Sequence, residues 1–151
     1  MPFEVKSIRS MVHGIMDNDY ILPAIQRHFV WKPEQITRLF DSLMRDYPIG
    51  SFLFWRLKTS TIKEYQFYNF ILHYDARTNS LNKKINPSGE KELTAILDGQ
   101  QRLTAMLLGL KGTYTIKRPY VKKNNPNAYL KKSLFLDLAS NTEGGDIISA
   151  F

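Results

Sequence analysis

No cysteine occurs among the 151 residues. Disulfides, a thiolate nucleophile and a cysteine-ligated zinc are therefore excluded, and stability must come from packing. The three histidines, His13, His28 and His73, are too far apart to form a spaced pair of metal ligands, and no nuclease motif is recognisable. No apolar run approaches the roughly 20 residues of a membrane helix, and the N-terminus lacks a signal-peptide pattern. A cytoplasmic protein without a membrane partner is expected. Both glycine-rich phosphate signatures are missing too, the Walker loop with its Gly-Lys-Ser/Thr and the dinucleotide fingerprint.

Acidic residues are absent from one long stretch. Residues 111–132 hold Lys111, Lys117, Arg118, Lys122, Lys123, Lys131 and Lys132 and no Asp or Glu. Residues 1–110 carry fourteen bases against eleven acids, and residues 133–151 carry three acids and no base, so the net charge of +7 is concentrated in the middle block. Such a block suits a polyanion, with Lys117, Arg118, Lys122 and Lys123 as the expected nucleic-acid contacts. A solvated loop kept soluble by its lysines is an equally good reading of the charge alone.

What is present is a core. Hydrophobic residues make up 43% and aromatics 13%, which excludes a disordered chain, and the length suits one domain over residues 1–151. Val5, Ile8, Val12 and Ile15 share a helical face over residues 4–16, stopped by Asp17-Asn18-Asp19. Tyr20 to Ile25 is extended, with Leu22 restrained by Pro23, and predicts a short edge strand. A helix beginning at Pro33 buries Ile36, Leu39, Phe40, Leu43 and Met44 and ends near Tyr47-Pro48, where Pro48-Ile49-Gly50-Ser51 turns. Phe52 to Trp55 then reads as a strand buried on both faces. Ile62 to Tyr74 suits helix or strand, with helix favoured, and residues 75–92 suggest an exposed loop or hairpin. Tyr114 to Tyr120 and Ser133 to Leu138 predict two strands around a basic, asparagine-rich loop. The apolar Ile147 to Phe151 resembles the start of another element, so a longer protein, continuing on the C-terminal side, is expected.

The most informative stretch is Ala95-Ile96-Leu97-Asp98-Gly99-Gln100-Gln101-Arg102-Leu103-Thr104. An apolar strand runs into Asp-Gly, and Leu103, Met106, Leu107 and Leu110 then mark a buried helix face that Gly112 would end. The first amides of a helix have no intrahelical partner and lie at the positive end of its dipole, where phosphates bind well. Arg102 projects about 100° from Leu103, beside those amides. Arg102 with Arg27 would neutralise a triphosphate, with Asp98 as a metal ligand or as the acceptor that orients an arginine. The plainer alternative is that Asp98 caps the helix, Gly99 permits the turn and the glutamines and arginine are solvated. Trp31, in the second polar and aromatic cluster Gln26-Arg27-His28-Phe29-Val30-Trp31, is expected in the core.

Pro23-Ala24-Ile25-Gln26-Arg27-His28-Phe29-Val30-Trp31, Gln35-Ile36, Asp41-Ser42-Leu43, Tyr47-Pro48-Ile49-Gly50-Ser51 and Leu97 to Thr104 occur in the order found in the N-terminal domain of GmrSD-type restriction endonucleases. The chain resembles that family from about residue 5 to residue 110. The resemblance implies a ParB/sulfiredoxin-like α+β domain with a small mixed sheet and flanking helices. It implies binding, and hydrolysis, of a nucleoside triphosphate with a divalent cation such as magnesium, coupled to cutting foreign, often modified DNA by a separate His-Asn-His-type nuclease domain that this chain lacks. Carried over residue by residue, Gln26, Arg27, Asp98, Gly99, Gln100, Gln101 and Arg102 would bind the nucleotide. Asp98, Gln100 and Arg102 would be catalytic, and Asp98 would hold the metal. Sulfiredoxin activity is not expected, since Gln100 cannot replace a nucleophilic cysteine. A ParB-like DNA-binding module switched by nucleotide without turnover, a plain interaction domain and a homo-oligomer remain open alternatives.

Overall fold

The computed structural model describes residues 3–24, 28–78, 81–86 and 92–137. The order is α1 (Ile8–Met16), β1 (Tyr20–Pro23), α2 (Pro33–Met44), β2 (Leu53–Leu57), α3 (Thr59–Glu64), β3 (Phe67–Tyr68), β4 (His73–Asp75), β5 (Lys84–Ile85), β6 (Leu93–Asp98), α4 (Gln100–Lys111), β7 (Thr113–Lys117) and β8 (Tyr129–Lys132), with a 3₁₀ turn at Pro126–Ala128. This is an α+β fold, as the sequence leads one to expect.

Two mixed sheets frame the helices. The first has the order β2-β6-β1-β3-β5, with β1 and β6 parallel and the other pairs antiparallel. The second has the order β4-β7-β8, in which β4 and β7 are parallel and β7 and β8 antiparallel. Alternation along β1 and β6 gives the first sheet two buried faces. Leu22 and Ile96 face the main core with α1, α2 and α4, whereas Ile21, Leu93 and Ala95 face a smaller core with Phe67, Leu57 and Ile62 of α3.

At the centre lies α4. Leu103, Thr104, Ala105, Met106, Leu107 and Leu108 are all buried, because α1, α2 and β7 pack around the helix. Its burial is therefore almost circumferential, and the expected stripe is wrong in one place: Leu110 is 48% exposed.

Other expectations are corrected in the same way. The helix predicted from residue 4 starts only at Ile8, because Ser7 caps it by accepting a hydrogen bond from the Ser10 amide at 3.1 Å, and Val5 is fully exposed. The extended segment at Tyr20 is not an edge: β1 lies between β6 and β3, and Pro23 is accommodated because it occupies the last position of the strand. The strand expected at Phe52 to Trp55 begins only at Leu53 and is an edge strand, β2, in which Leu53 is 42% exposed. Helix between Ile62 and Tyr74 gives way to strand after Glu64, since Phe67 is buried completely in pairing with β1 and His73–Asp75 pairs with β7. Among the described residues the last strand is Tyr129–Lys132, and the expected strand at 133–138 is not formed over 133–137. The Arg118 amide donates to the Ala128 carbonyl at 2.7 Å, and this closure sets the register that opposes Lys117 to Tyr129. Residues 138–151, including the apolar end, lie outside the described residues.

The second sheet is tied to the rest through Tyr114, whose hydroxyl donates to the Trp31 carbonyl at 3.0 Å and whose ring lies 4.5 Å from that of Tyr74. Burial, with the neighbouring Tyr74 adding to it, pushes the Tyr114 hydroxyl well above the usual phenol range. An unfolded tyrosine loses its proton near pH 10 while the folded one keeps it, so this group's contribution is complete below about pH 10 and declines as pH rises further. Tyr114→Phe is expected to cost about 1 kcal/mol at neutral pH and to flatten part of the alkaline decline. Urea unfolding of parent and variant at neutral pH and across pH 9–11 checks this, and parallel declines would count against it.

Candidate functional site

The joint between β6 and α4 is made by Gly99, whose φ of +90° is a left-handed conformation that side chains resist. Space enforces the same choice, because a Cβ at Gly99 would lie 2.2 Å from the Phe52 ring. No side chain caps the helix, and the first intrahelical bond runs from the Leu103 amide to the Gly99 carbonyl at 2.9 Å. The amides of Gln100, Gln101 and Arg102 are therefore the uncapped, positive end of α4. An open cleft of about 250 Å³ lies there, lined by Trp31, Leu97, Asp98, Gly99, Gln100, Gln101 and Arg102.

The three long side chains of the joint point to three different tasks. Gln100 is 7% exposed and its amide folds back toward the Ile96 carbonyl at 3.4 Å. Gln101 grips the loop before α2 with both ends of its amide: Oε1 accepts from the Val30 amide and Nε2 donates to the His28 carbonyl, each at 3.0 Å. Arg102 grips the loop after α2. Its guanidinium donates to the carbonyls of Ile49 and Ser51, the latter at 2.7 Å, and lies 4.6 Å from the centre of the Phe52 ring. Gly50, between those two carbonyls, has φ +85°, and a Cβ there would come within 2.7 Å of the Arg102 guanidinium.

Asp98 differs from its neighbours. Its carboxylate is 72% exposed and stands 3.6 Å from the Arg102 guanidinium, a loose contact that leaves its oxygens open to other partners. It is not the helix cap, which falls on Gly99. Among the described residues no group of three histidine, cysteine, aspartate or glutamate side chains converges to hold a metal ion. A cation at Asp98 would share its remaining ligands with water and phosphate oxygens, as magnesium commonly does.

The structure thus brings Asp98, Gly99, Gln100, Gln101 and Arg102 to one cleft. Gln26 and Arg27 lie outside the described residues. Lys117, Arg118, Lys122 and Lys123 are exposed along the end of β7 and the loop beyond it, apart from the residues lining the cleft. Trp31 packs against the main core as expected, and also walls the cleft, a role the sequence did not suggest. Phe52 and Gly50 were likewise not anticipated as parts of this site, although a glycine in a Pro-Ile-Gly-Ser turn is a signal that an unusual backbone conformation is needed.

Residues 8–147 match the family described as the GmrSD restriction endonuclease N-terminal domain. An uncharacterised protein of Methanocaldococcus jannaschii is 28% identical over 135 residues, which is 89% of this chain and 20% of that protein. The chain therefore spans about a fifth of that relative's length.

Arg102→Ala is expected to destabilise the domain by about 2–3 kcal/mol, because charge-assisted contacts to two loop carbonyls are lost together. Gly50→Ala should cost about 1–2 kcal/mol through its left-handed backbone, and more if the guanidinium is displaced. Denaturant midpoints measured singly and in combination test the coupling. A double variant as stable as the worse single one would support one shared clamp, whereas fully additive losses would contradict it.

Proposed function

Because the chain belongs to the family of GmrSD restriction endonuclease N-terminal domains, we propose that it binds and hydrolyses a nucleoside triphosphate, and that this regulates DNA cutting by a nuclease domain of the wider protein. The observation that carries the reading is the uncapped start of α4 opening into a cleft lined by the exposed, loosely paired carboxylate of Asp98. Amides and a helix dipole attract phosphate, and the Asp98 carboxylate would help hold a magnesium ion, which would supply positive charge to the phosphates. At about 250 Å³ the cleft is smaller than a site enclosing a whole nucleotide. The phosphates would enter it, with the base left at the mouth near Trp31.

Roles follow from placement. Asp98 serves as the metal-side carboxylate and the acceptor that orients attacking water. Arg102 lends positive charge while holding the 49–51 turn, and Gln101 holds the 28–30 segment that precedes Trp31. Gln100, turned back on β6, supports the joint. At the end of β7 and on the loop beyond it, Lys117, Arg118, Lys122 and Lys123 supply a phosphate-contacting surface for DNA, sequence-independent in character.

Calorimetric titration with ATP and with GTP, with and without magnesium, tests the nucleotide reading. Magnesium-dependent binding is expected, weakened about tenfold or more by Asp98→Ala, with a change in stability below about 0.5 kcal/mol because the carboxylate is exposed. Slow phosphate release by the parent should be lost in the same variant. Absence of triphosphate binding, or binding indifferent to Asp98, would contradict the proposal.

A further inference from the structure

The loop joining β7 to β8 is closed at its base and tied again between Lys122 and Ala128. The Arg118 amide donates to the Ala128 carbonyl, the Asn125 amide to the Lys122 carbonyl at 3.0 Å, and the Ala128 amide to the Asn125 carbonyl at 2.9 Å. The Asn125 side chain adds a bond from the Asn127 amide at 2.8 Å. On this framework Tyr120 is presented with its whole surface accessible, at 105% relative exposure, and with φ +62°. A left-handed conformation disfavours a tyrosine, and a ring that buries no apolar surface offsets none of that cost. Folding therefore gives no reason for an aromatic residue at this position.

Its surroundings supply one. Lys117, Arg118, Lys122 and Lys123 are exposed on both sides of the ring in sequence, and residues 111–132 contain no acid. On the neighbouring strand, the acid facing β7 is Asp75, which is already paired with Arg77 at normal hydrogen-bond distance. An aromatic face flanked by cations is the arrangement by which proteins stack on an unpaired base while gripping the adjoining phosphates. Fully paired duplex offers phosphates but hides its base faces, so it can use the lysines and not the ring. We propose that Tyr120 is a stacking platform for an unstacked nucleobase, presented by a single strand or by a base turned out of a duplex. The inference rests on the reading of the basic loop as a nucleic-acid contact and adds to it a preference for unpaired bases.

The test uses the 151-residue chain and fluorescence anisotropy at several salt concentrations. The probes are a labelled single strand of about 20 nucleotides, the matching duplex, and that duplex carrying one unpaired base. Tyr120→Ala is expected to weaken single-strand binding about 5- to 100-fold, to leave the salt dependence unchanged and to leave paired-duplex binding unaffected. Tyr120→Phe should bind as the parent does. A loss on the single strand alone assigns the ring to strand ends or gaps, and a loss on the duplex with an unpaired base as well assigns it to turned-out bases. Equal binding of Tyr120→Ala and parent to both unpaired probes would overturn the proposal. The combined neutralisation of Lys117, Arg118, Lys122 and Lys123 separates the two failures. If it flattens the salt slope while Tyr120→Ala is silent, the ring has no such role but the basic loop still contacts phosphates. A parent that binds none of the probes overturns both.

Discussion

The left-handed turn at Gly99 is the constraint on which the site depends. It lets β6 pass into α4 within one residue, and so presents Gln101 and Arg102, about 100° apart, at the same helix start. Each side chain then fixes a loop far away in sequence, Gln101 the segment at 28–30 and Arg102 the turn at 49–51. Phe52 fills the space that a Cβ at Gly99 would occupy and also lies against the Arg102 guanidinium. The cleft is thus bounded by long-range contacts converging on one joint. Its shape would change if any of the glycine, glutamine or arginine were replaced.

Hydrophobic burial and polar clamping divide the work. A helix surrounded by apolar neighbours from Leu103 to Leu108 gains most of its stability from removal of surface from water, a force without direction. The clamps contribute less energy and more geometry, because each hydrogen bond has a preferred distance and angle and each would leave a loop polar group unpaired if broken. Similar local work is done at other places where polar residues recur. Gln35 Oε1 accepts from the Lys32 amide at the start of α2, and Asp41 pairs with Arg45 at 2.9 Å near its end.

Much of this was legible in the sequence because it is local. The strand, turn and helix around Asp98-Gly99 follow from a change of period at an Asp-Gly pair, and α2 follows from Pro33 and its apolar spacing. What was not legible depends on partners. Whether β1 is an edge is decided by β3, a two-residue strand hidden in an aromatic stretch whose spacing favours helix. Residues 133–137 look as strand-like as 129–132, but the closure between Arg118 and Ala128 selects the earlier register. At the candidate site, the sequence read Asp98 to Arg102 as one polar cluster, and the structure gathers them at one cleft, but the loop contacts of Gln101 and Arg102 were not read from it. Side-chain direction is set by carbonyls some fifty and seventy residues away, at Ser51 and His28, which no local pattern encodes.

Two features proposed as polyanion sites then coexist on one chain, an uncapped helix start with an exposed aspartate and a cation-rich loop carrying Tyr120. Assigning triphosphate to the first is the central claim, and backbone amide NMR of the folded chain during addition of magnesium and a triphosphate examines it most directly. Saturable shifts of the Gln100, Gln101 and Arg102 amides, accompanied by the Trp31 indole, are expected. Shifts confined to residues 117–123, or none at all, would contradict it.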